Sequence, residues 1–156
     1  MNAAAAPKAT TTRRTFSRET VVSIEIQAEP SDVWSLLTNA SDYPRWSSTV
    51  LGIEGEIALG NTIKLRSTLD PKRTFKLRVK EFTAPTRLVW GDAMGKRTYE
   101  ITPKGGGAIL FTMHEKIGGP IFPLFAGMIP PFDESFEQFA SDLKRRAEEG
   151  SNPNAA

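Results

Sequence analysis

Apolar and charged side chains alternate through two neighbouring segments, residues 61–69 and 73–82. Alternation with a period of two predicts β-strands that have one buried and one exposed face. Between the segments lie Asp70, Pro71 and Lys72, which favour a turn. The pattern therefore predicts an antiparallel hairpin whose apolar residues share one face.

Further strand patterns occur on both sides of this hairpin. They cover residues 22–26, 49–56, 87–92, 97–103 and 108–117. Two glycines interrupt the segment 49–56, which indicates a bulged edge strand. A run of three glycines joins the last two strands. The sequence thus predicts an antiparallel sheet of about seven strands.

Apolar residues at helical spacing occur after the first strand and again near the C-terminus. Val33, Trp34 and Leu37 share a helix face that Ser31 is expected to cap, and a second short helix contains Tyr43 and Trp46. A long final helix is predicted from an apolar stripe with intervals of four, three and four residues: Phe132, Phe136, Phe139 and Leu143. We expect that helix to run to about Glu149, with Gly150 as its C-terminal cap.

Two stretches resemble the START/Bet v 1-like superfamily, in its polyketide cyclase/dehydrase and lipid-transport branch. They are AEPSDVWSLLTNASDYPRWSSTV at residues 28–50 and LVWGDAMGKRTYEITPKGGGAILFTMHEKIGG at residues 88–119. The resemblance covers residues 21–149. It implies an α+β helix-grip fold, in which a curved antiparallel sheet wraps around the long C-terminal helix and an apolar cavity lies between them.

The expected domain spans residues 20–149. Residues 1–19 carry four basic side chains and one acidic one, and Phe16 is their only large apolar side chain apart from Met1. Because such a segment buries little apolar surface, we expect a disordered basic N-terminal tail at 1–19. A second disordered tail is expected at 150–156.

The residue inventory excludes several kinds of chemistry. The chain has no cysteine and one histidine, which excludes disulfides, thiolate catalysis and cysteine-based zinc sites. Phosphate-binding loops, catalytic triads and dinucleotide-binding motifs are also absent from the sequence. We expect no metal, no cofactor and no catalytic residue. Because no segment resembles a membrane span or a secretory signal, we expect a cytoplasmic protein without stable membrane insertion.

Arg97 and Glu115 are the polar residues of greatest interest. Strand parity places both on the face toward the final helix, and the glycine turn places them directly opposite or one diagonal step apart. A charged pair beside an apolar cavity is costly unless the ions meet each other or a polar ligand. Two interpretations remain open: a structural ion pair, or an anchor for carboxylate, enolate or phenolate oxygens.

Proton transfer is not expected from these residues. Where members of the superfamily often carry histidine, this chain has Arg97, which stays protonated and cannot act as a general base. His114 is predicted to face outward by its parity. This weakens an assignment as a cyclase or dehydratase.

The candidate ligand-binding residues combine this pair with apolar residues predicted to face the cavity. For each aromatic residue, packing in a solid core is the alternative. The candidates are Trp46, Leu65, Leu77, Trp90, Arg97, Tyr99, Phe111, Met113, Glu115, Phe125, Met128, Phe132 and Phe136.

Residues 118–131, GGPIFPLFAGMIPP, are richer in apolar side chains than an ordinary loop. We interpret this segment as a lid over the cavity mouth. Contact with a membrane surface and contact with a second copy of the chain in a homodimer are the alternatives.

A ladder of basic residues is predicted on the outer face of the hairpin: Lys64, Arg66, Arg73, Lys76, Arg78 and Lys80. We interpret it as a solvated face, with contact to an acidic lipid surface as the alternative. Nucleic acid is not expected as a partner, because no aromatic residues that stack on bases are interleaved with these charges.

Three functions remain open. The leading hypothesis is binding or transport of a small apolar ligand, lipid-like or aromatic and polyketide-like, in the internal cavity. The second is a polyketide aromatase/cyclase or dehydratase-like enzyme, and the third is a ligand-free protein-interaction module.

Overall fold

The computed structural model describes residues 6–151, and its strands form one antiparallel sheet. Eight strands are present in this part of the chain: β1 Thr10–Arg13, β2 Ser17–Ile26, β3 Val50–Glu54, β4 Thr62–Ser67, β5 Asp70–Thr83, β6 Arg87–Gly91, β7 Gly95–Gly105 and β8 Ala108–Gly118. Their order across the sheet is β1-β2-β8-β7-β6-β5-β4-β3. The predicted edge strand is thus β3, with its bulge between Val50 and Gly52.

Helices precede and follow this sheet. They are α1 Pro30–Thr38, α2 Tyr43–Trp46, α3 Phe122–Phe125 and α4 Asp133–Ser151. Short 3-10 turns at Ala40–Asp42 and Ala126–Met128 extend the second and third of them. The α+β helix-grip prediction is confirmed, including the two short helices after the first predicted strand and the long final helix.

Aromatic packing holds α4 against the sheet. The Phe139 ring centroid lies 5.7 Å from that of Tyr99 and 6.3 Å from that of Phe111. From the other side, the Trp46 ring meets Phe139 edge-on at 5.3 Å. All four side chains are buried. Because such pairs add to the free energy of burying the rings, they fix the helix over the middle of β7 and β8.

Part of the N-terminal segment forms a strand, contrary to the sequence prediction of a disordered tail. Residues 10–13 form β1, which pairs with β2 in a register from Thr10↔Val21 to Arg13↔Arg18. Beside it, the Ala9 amide donates to the Glu137 carboxylate at 2.8 Å. The predicted disorder is therefore wrong for this part, because backbone pairing and polar contacts order a segment that has few apolar side chains. Residues 1–5 lie outside the described residues.

Two predicted helix ends also differ. Helix α1 begins after Glu29 with Pro30 at its first position, and not after Ser31, because the fixed φ of proline suits that position. Helix α4 continues through Gly150 to Ser151, so Gly150 is not its cap. The rest of the predicted C-terminal tail, residues 152–156, lies outside the described residues.

Candidate functional site

A cavity of about 260 Å³ lies between the sheet and the segment that follows β8. Its floor comes from β4 to β8, and its cover comes from residues 125–132. The segment 118–131 therefore forms part of the cavity wall, where the lid interpretation placed it. Eight predicted ligand-binding residues line this cavity: Leu65, Leu77, Trp90, Arg97, Glu115, Phe125, Met128 and Phe132.

Five other candidates are buried in the core and do not line this cavity: Trp46, Tyr99, Phe111, Met113 and Phe136. Strand parity placed Tyr99, Phe111 and Met113 on the correct face of the sheet, and Trp46 and Phe136 belong to α2 and α4. Helix α4 covers the middle of the sheet, where Tyr99 and Phe111 pack against Phe139. The cavity lies beside the N-terminal end of this helix, next to Phe132. These five residues therefore lie in the solid core, which was the alternative to a place in the cavity wall.

Arg97 and Glu115 lie directly opposite each other in β7 and β8. The Arg97 Nε–H donates to Glu115 Oε1 at 3.0 Å, and each side chain is 16% exposed. Burial disfavours the charged guanidinium, but the neighbouring Glu115 and Tyr99 outweigh this and raise the pKa of Arg97 above its ordinary value. The pair is therefore a pre-formed polar group in a mostly apolar wall.

Tyr99 lies behind this pair with its hydroxyl buried. Burial raises the pKa of Tyr99, and the Arg97 charge opposes that shift. Among the described residues, the indole N–H of Trp90, which lines the cavity, is buried without a hydrogen-bond partner. This polar atom of the cavity wall thus has unused hydrogen-bonding capacity.

A second buried arginine, Arg18, was missed by the sequence analysis. It is 3% exposed and donates to the carbonyl oxygens of Ile129 at 3.2 Å and Pro130 at 2.8 Å. Its guanidinium also lies 4.7 Å from the ring centroid of Phe132. Burial lowers the pKa of Arg18, and repulsion from Arg13 acts in the same direction. Arg18 therefore ties β2 to the segment that covers the cavity.

The signal for Arg18 was available in the sequence. Val22, Ile24 and Ile26 mark the inward positions of β2, and the same parity continued backwards reaches Thr20 and Arg18. Because residues 1–19 were expected to be disordered, the predicted strand began at Val22 and did not include Arg18.

The position of Arg73 also differs from the prediction. Arg73 was predicted to lie on the outer face, yet it lines the cavity, and its guanidinium lies 4.5 Å from the Phe75 ring centroid. The reason is parity, because Arg73 shares the odd-numbered face of β5 with Phe75 and Leu77. Lys64 and Lys76 are exposed and directly opposite each other on the outer face.

His114 faces away from the cavity, as predicted. Its Nε2 lies 3.2 Å from Glu19 Oε1, and both side chains are about one-third exposed. Within residues 6–151, no group of three or more His, Asp or Glu side chains has the arrangement of a metal site. No helix in the same residues is long and apolar enough to cross a membrane.

A sheet that grips a helix and leaves an apolar cavity with a polar pair defines a START/Bet v 1-like ligand-binding domain. The family model for polyketide cyclase/dehydrase and lipid transport matches residues 17–148. The chain belongs to this family. A comparison with curated proteins finds no match.

Several solved structures share the fold. Norcoclaurine synthase from Thalictrum flavum, as a point mutant with a transition-state analogue, matches with a TM-score of 0.67 and 12% identity over 90% of this chain and 100% of that one. A START superfamily protein from Mycobacterium smegmatis matches at 0.61 and 18% identity, covering 84% of this chain and 97% of that one. A conserved protein from Enterococcus faecalis matches at 0.66 and 15% identity, covering 95% and 80%. These similarities bear on the fold alone.

Proposed function

We propose that the protein binds and carries a small, mostly apolar molecule with one oxygen-bearing end. The observation that carries this proposal is the composition of the cavity wall, in which aromatic and aliphatic side chains surround the Arg97–Glu115 pair. Ligand pockets are typically apolar with a few convergent polar groups. The wall has this composition.

Arg97 supplies the polar anchor in this proposal. A guanidinium has five N–H donors, and the hydrogen bond to Glu115 uses the one on Nε. The remaining donors suit a carbonyl, phenolate or carboxylate oxygen of a ligand. Glu115 keeps the guanidinium in place and offsets its charge.

The volume supports a small ligand. At about 260 Å³ the cavity lies just below the roughly 300–1,000 Å³ that is typical of ligand pockets. A single aromatic ring system or a short acyl chain fits such a space better than a complete membrane lipid does. A longer molecule must extend through the mouth beside Met128, which is 82% exposed.

Binding is proposed in preference to catalysis because neither Arg97 nor His114 can act as a general base in the cavity. The raised pKa keeps Arg97 protonated, and His114 contacts Glu19 on the other side of the sheet. A general base needs a pKa near the working pH and contact with the substrate.

Tryptophan fluorescence tests this proposal, since Trp90 lines the cavity and Trp34 lies in α1. Titration with fatty acids, flavonoids and aromatic polyketides should quench the wild-type signal. The quenching should be lost in Trp90→Phe and retained in Trp34→Phe. Arg97→Met should lower the affinity for oxygen-bearing ligands more than the affinity for pure hydrocarbons.

Two results would overturn the proposal. The first is a broad apolar library that changes neither the fluorescence nor the melting temperature. The second is turnover of a polyketide substrate that Glu115→Gln abolishes while binding and fold remain intact, which would place the protein among the cyclases.

A further inference from the structure

Four exposed apolar side chains lie around the cavity mouth. Phe16 is 57% exposed, Ile121 58%, Leu124 83% and Met128 82%, and we call this group the apolar rim. They are four of the seven large hydrophobic residues that are exposed in the described part of the chain. Exposed side chains on this scale cost free energy in water unless a partner covers them.

Backbone contacts place these residues at one end of the sheet. The Gly119 amide donates to the Phe16 carbonyl at 3.0 Å, so the turn between β1 and β2 lies against the start of the lid segment. The Gly118 amide donates to the Met94 carbonyl at 2.9 Å, which adds the turn between β6 and β7. Because Met128 also lines the cavity, the apolar rim borders its mouth.

The same end of the molecule is basic. We define the mouth end as residues 13–17, 68–73, 91–96 and 116–134. It carries six exposed basic side chains, namely Arg13, Arg14, Lys72, Arg73, Lys96 and Lys116. Its exposed acidic side chains are Asp70, Asp92 and Glu134, and Asp133 is half-buried. The mouth end therefore has a net positive charge.

The opposite end of the sheet has the reverse charge. Its loops, residues 27–32, 54–61, 83–86 and 103–107, carry four exposed acidic side chains, Glu29 and Asp32 among them, and one exposed basic one, Lys104. The C-terminal turns of α4 lie at this same far end, because the Gln27 amide donates to the Glu148 carboxylate. They add the exposed side chains Arg145, Arg146 and Glu149, so the far end has more exposed acidic than basic side chains. The molecule is thus polarised along its strands, with the apolar rim at the positive end.

We propose that the mouth end docks on the surface of an anionic lipid bilayer. Exposed apolar side chains next to basic ones suit such a surface, where apolar groups enter the headgroup region and each nearby Lys or Arg attracts anionic lipid. The acidic far end points away from the membrane in this orientation, and the cavity opens toward the lipid. Docking is peripheral and goes beyond the proposed ligand binding, because it does not require an occupied cavity.

Vesicle flotation tests the docking with the full chain. We expect binding to vesicles of equal parts phosphatidylcholine and phosphatidylglycerol, weaker binding to phosphatidylcholine alone, and loss of binding as salt screens the charges. The double change Arg13→Gln and Arg14→Gln should weaken binding about thirtyfold, since each basic residue near an anionic surface contributes a factor of about five. Leu124→Ser with Met128→Ser should also weaken it.

Matched controls come from the far end. Leu59 is 66% exposed and Lys104 is exposed, so Leu59→Ser and Lys104→Gln should leave vesicle binding unchanged. Equal effects of the rim and control variants would overturn the proposal, and so would wild-type protein that ignores anionic vesicles. A dimer that Leu124→Ser with Met128→Ser converts to monomer, without any vesicle binding, would show that a second copy covers the rim. Ligand binding by the same variants is measured separately, by titration followed through Trp90 fluorescence. A variant that fails to bind vesicles can therefore be distinguished from one that fails to bind ligand.

Discussion

The rings of Phe132 and Phe136 stack nearly parallel, with ring centroids 5.8 Å apart and ring planes only 7° from parallel. The Arg18 guanidinium lies 4.7 Å from the Phe132 centroid, and that of Arg97 lies 5.1 Å from the Phe136 centroid. Two cations from β2 and β7 thus contact the residue before α4 and the first turn of α4. Because Phe132 and Arg97 also line the cavity, this arrangement couples the position of the helix to the shape of the site.

Replacing Arg18 should loosen the cavity cover. Arg18→Met removes the hydrogen bonds to the Ile129 and Pro130 carbonyls and the contact with Phe132. We expect a loss of about 2–4 kcal/mol in the free energy of unfolding, with faster amide exchange in residues 119–132. Urea denaturation and hydrogen exchange measure the two effects. Arg14→Met, at an exposed position nearby, is the control, and identical exchange in the two variants would contradict the role of Arg18.

Breaking the cavity pair should cost far more than breaking a surface pair. Glu115→Gln leaves the Arg97 charge without its carboxylate in a site where both side chains are 16% exposed. We expect a loss of about 3 kcal/mol in the free energy of unfolding. The matched control is Glu81→Gln, which breaks the pair with Arg87 at a distance of 2.9 Å. Because those side chains are 37% and 42% exposed, this change should cost less than about 1 kcal/mol.

A double variant distinguishes the effect of the Arg97–Glu115 pair on stability from the role of Arg97 as ligand anchor. Arg97→Met combined with Glu115→Leu removes both charges, so most of the lost stability should return. Affinity for oxygen-bearing ligands should stay low, because the anchor is absent. Full recovery of that affinity would contradict the role proposed for Arg97.

The sequence predicted the sheet, the long helix and the Arg97–Glu115 contact because each depends on a local pattern. Alternation fixes which side chains share a face, and the glycine turn fixes the register across β7 and β8. The lining of the cavity depends instead on where α4 begins over the sheet. Parity alone cannot separate Trp90, at the cavity, from Tyr99, in the core.

The N-terminal strand shows a different limit. Its pairing relies on backbone hydrogen bonds and on threonine hydroxyls, which composition does not reveal. Arg18 and Arg73 were misplaced for related reasons. For Arg18 a short extension of the strand parity gives the correct face, and for Arg73 the parity of the predicted strand 73–82 already gives it. In both cases the charge of the side chain favours an exposed position.

Both tyrosines of the chain are buried, which predicts an unusual alkaline titration. Burial is the main cause that raises the pKa of Tyr43 and of Tyr99 above the ordinary value of about 10. A raised folded-state pKa stabilises the protein fully below the unfolded pKa and loses that contribution as pH rises toward the folded pKa. Stability should therefore be independent of these groups below about pH 10 and fall above it.

Near-ultraviolet absorbance measures this titration directly. The folded protein should show no tyrosinate at about pH 10, and ionisation should coincide with unfolding followed by circular dichroism. The urea-unfolded chain, as the reference, should titrate at the ordinary pKa. Reversible ionisation of either tyrosine near the ordinary pKa in the folded protein would show that its hydroxyl reaches water.

The order of the N-terminal strand depends on Thr11. Its hydroxyl donates to Asp133 Oδ1 at 2.7 Å and lies 3.0 Å from the Thr20 hydroxyl, so it connects β1 to the start of α4. Thr11→Val keeps the shape of the side chain but leaves both partners without this bond, and we expect a loss of about 1–2 kcal/mol in the free energy of unfolding. Amide exchange in residues 10–13 should be protected in the wild type and faster in the variant. Thr12→Val, at the exposed neighbouring position, should leave the protection unchanged, because its side chain points away from α4. Wild-type amides at 10–13 that exchange as fast as an unfolded peptide would mean that β1 contributes nothing to holding the helix.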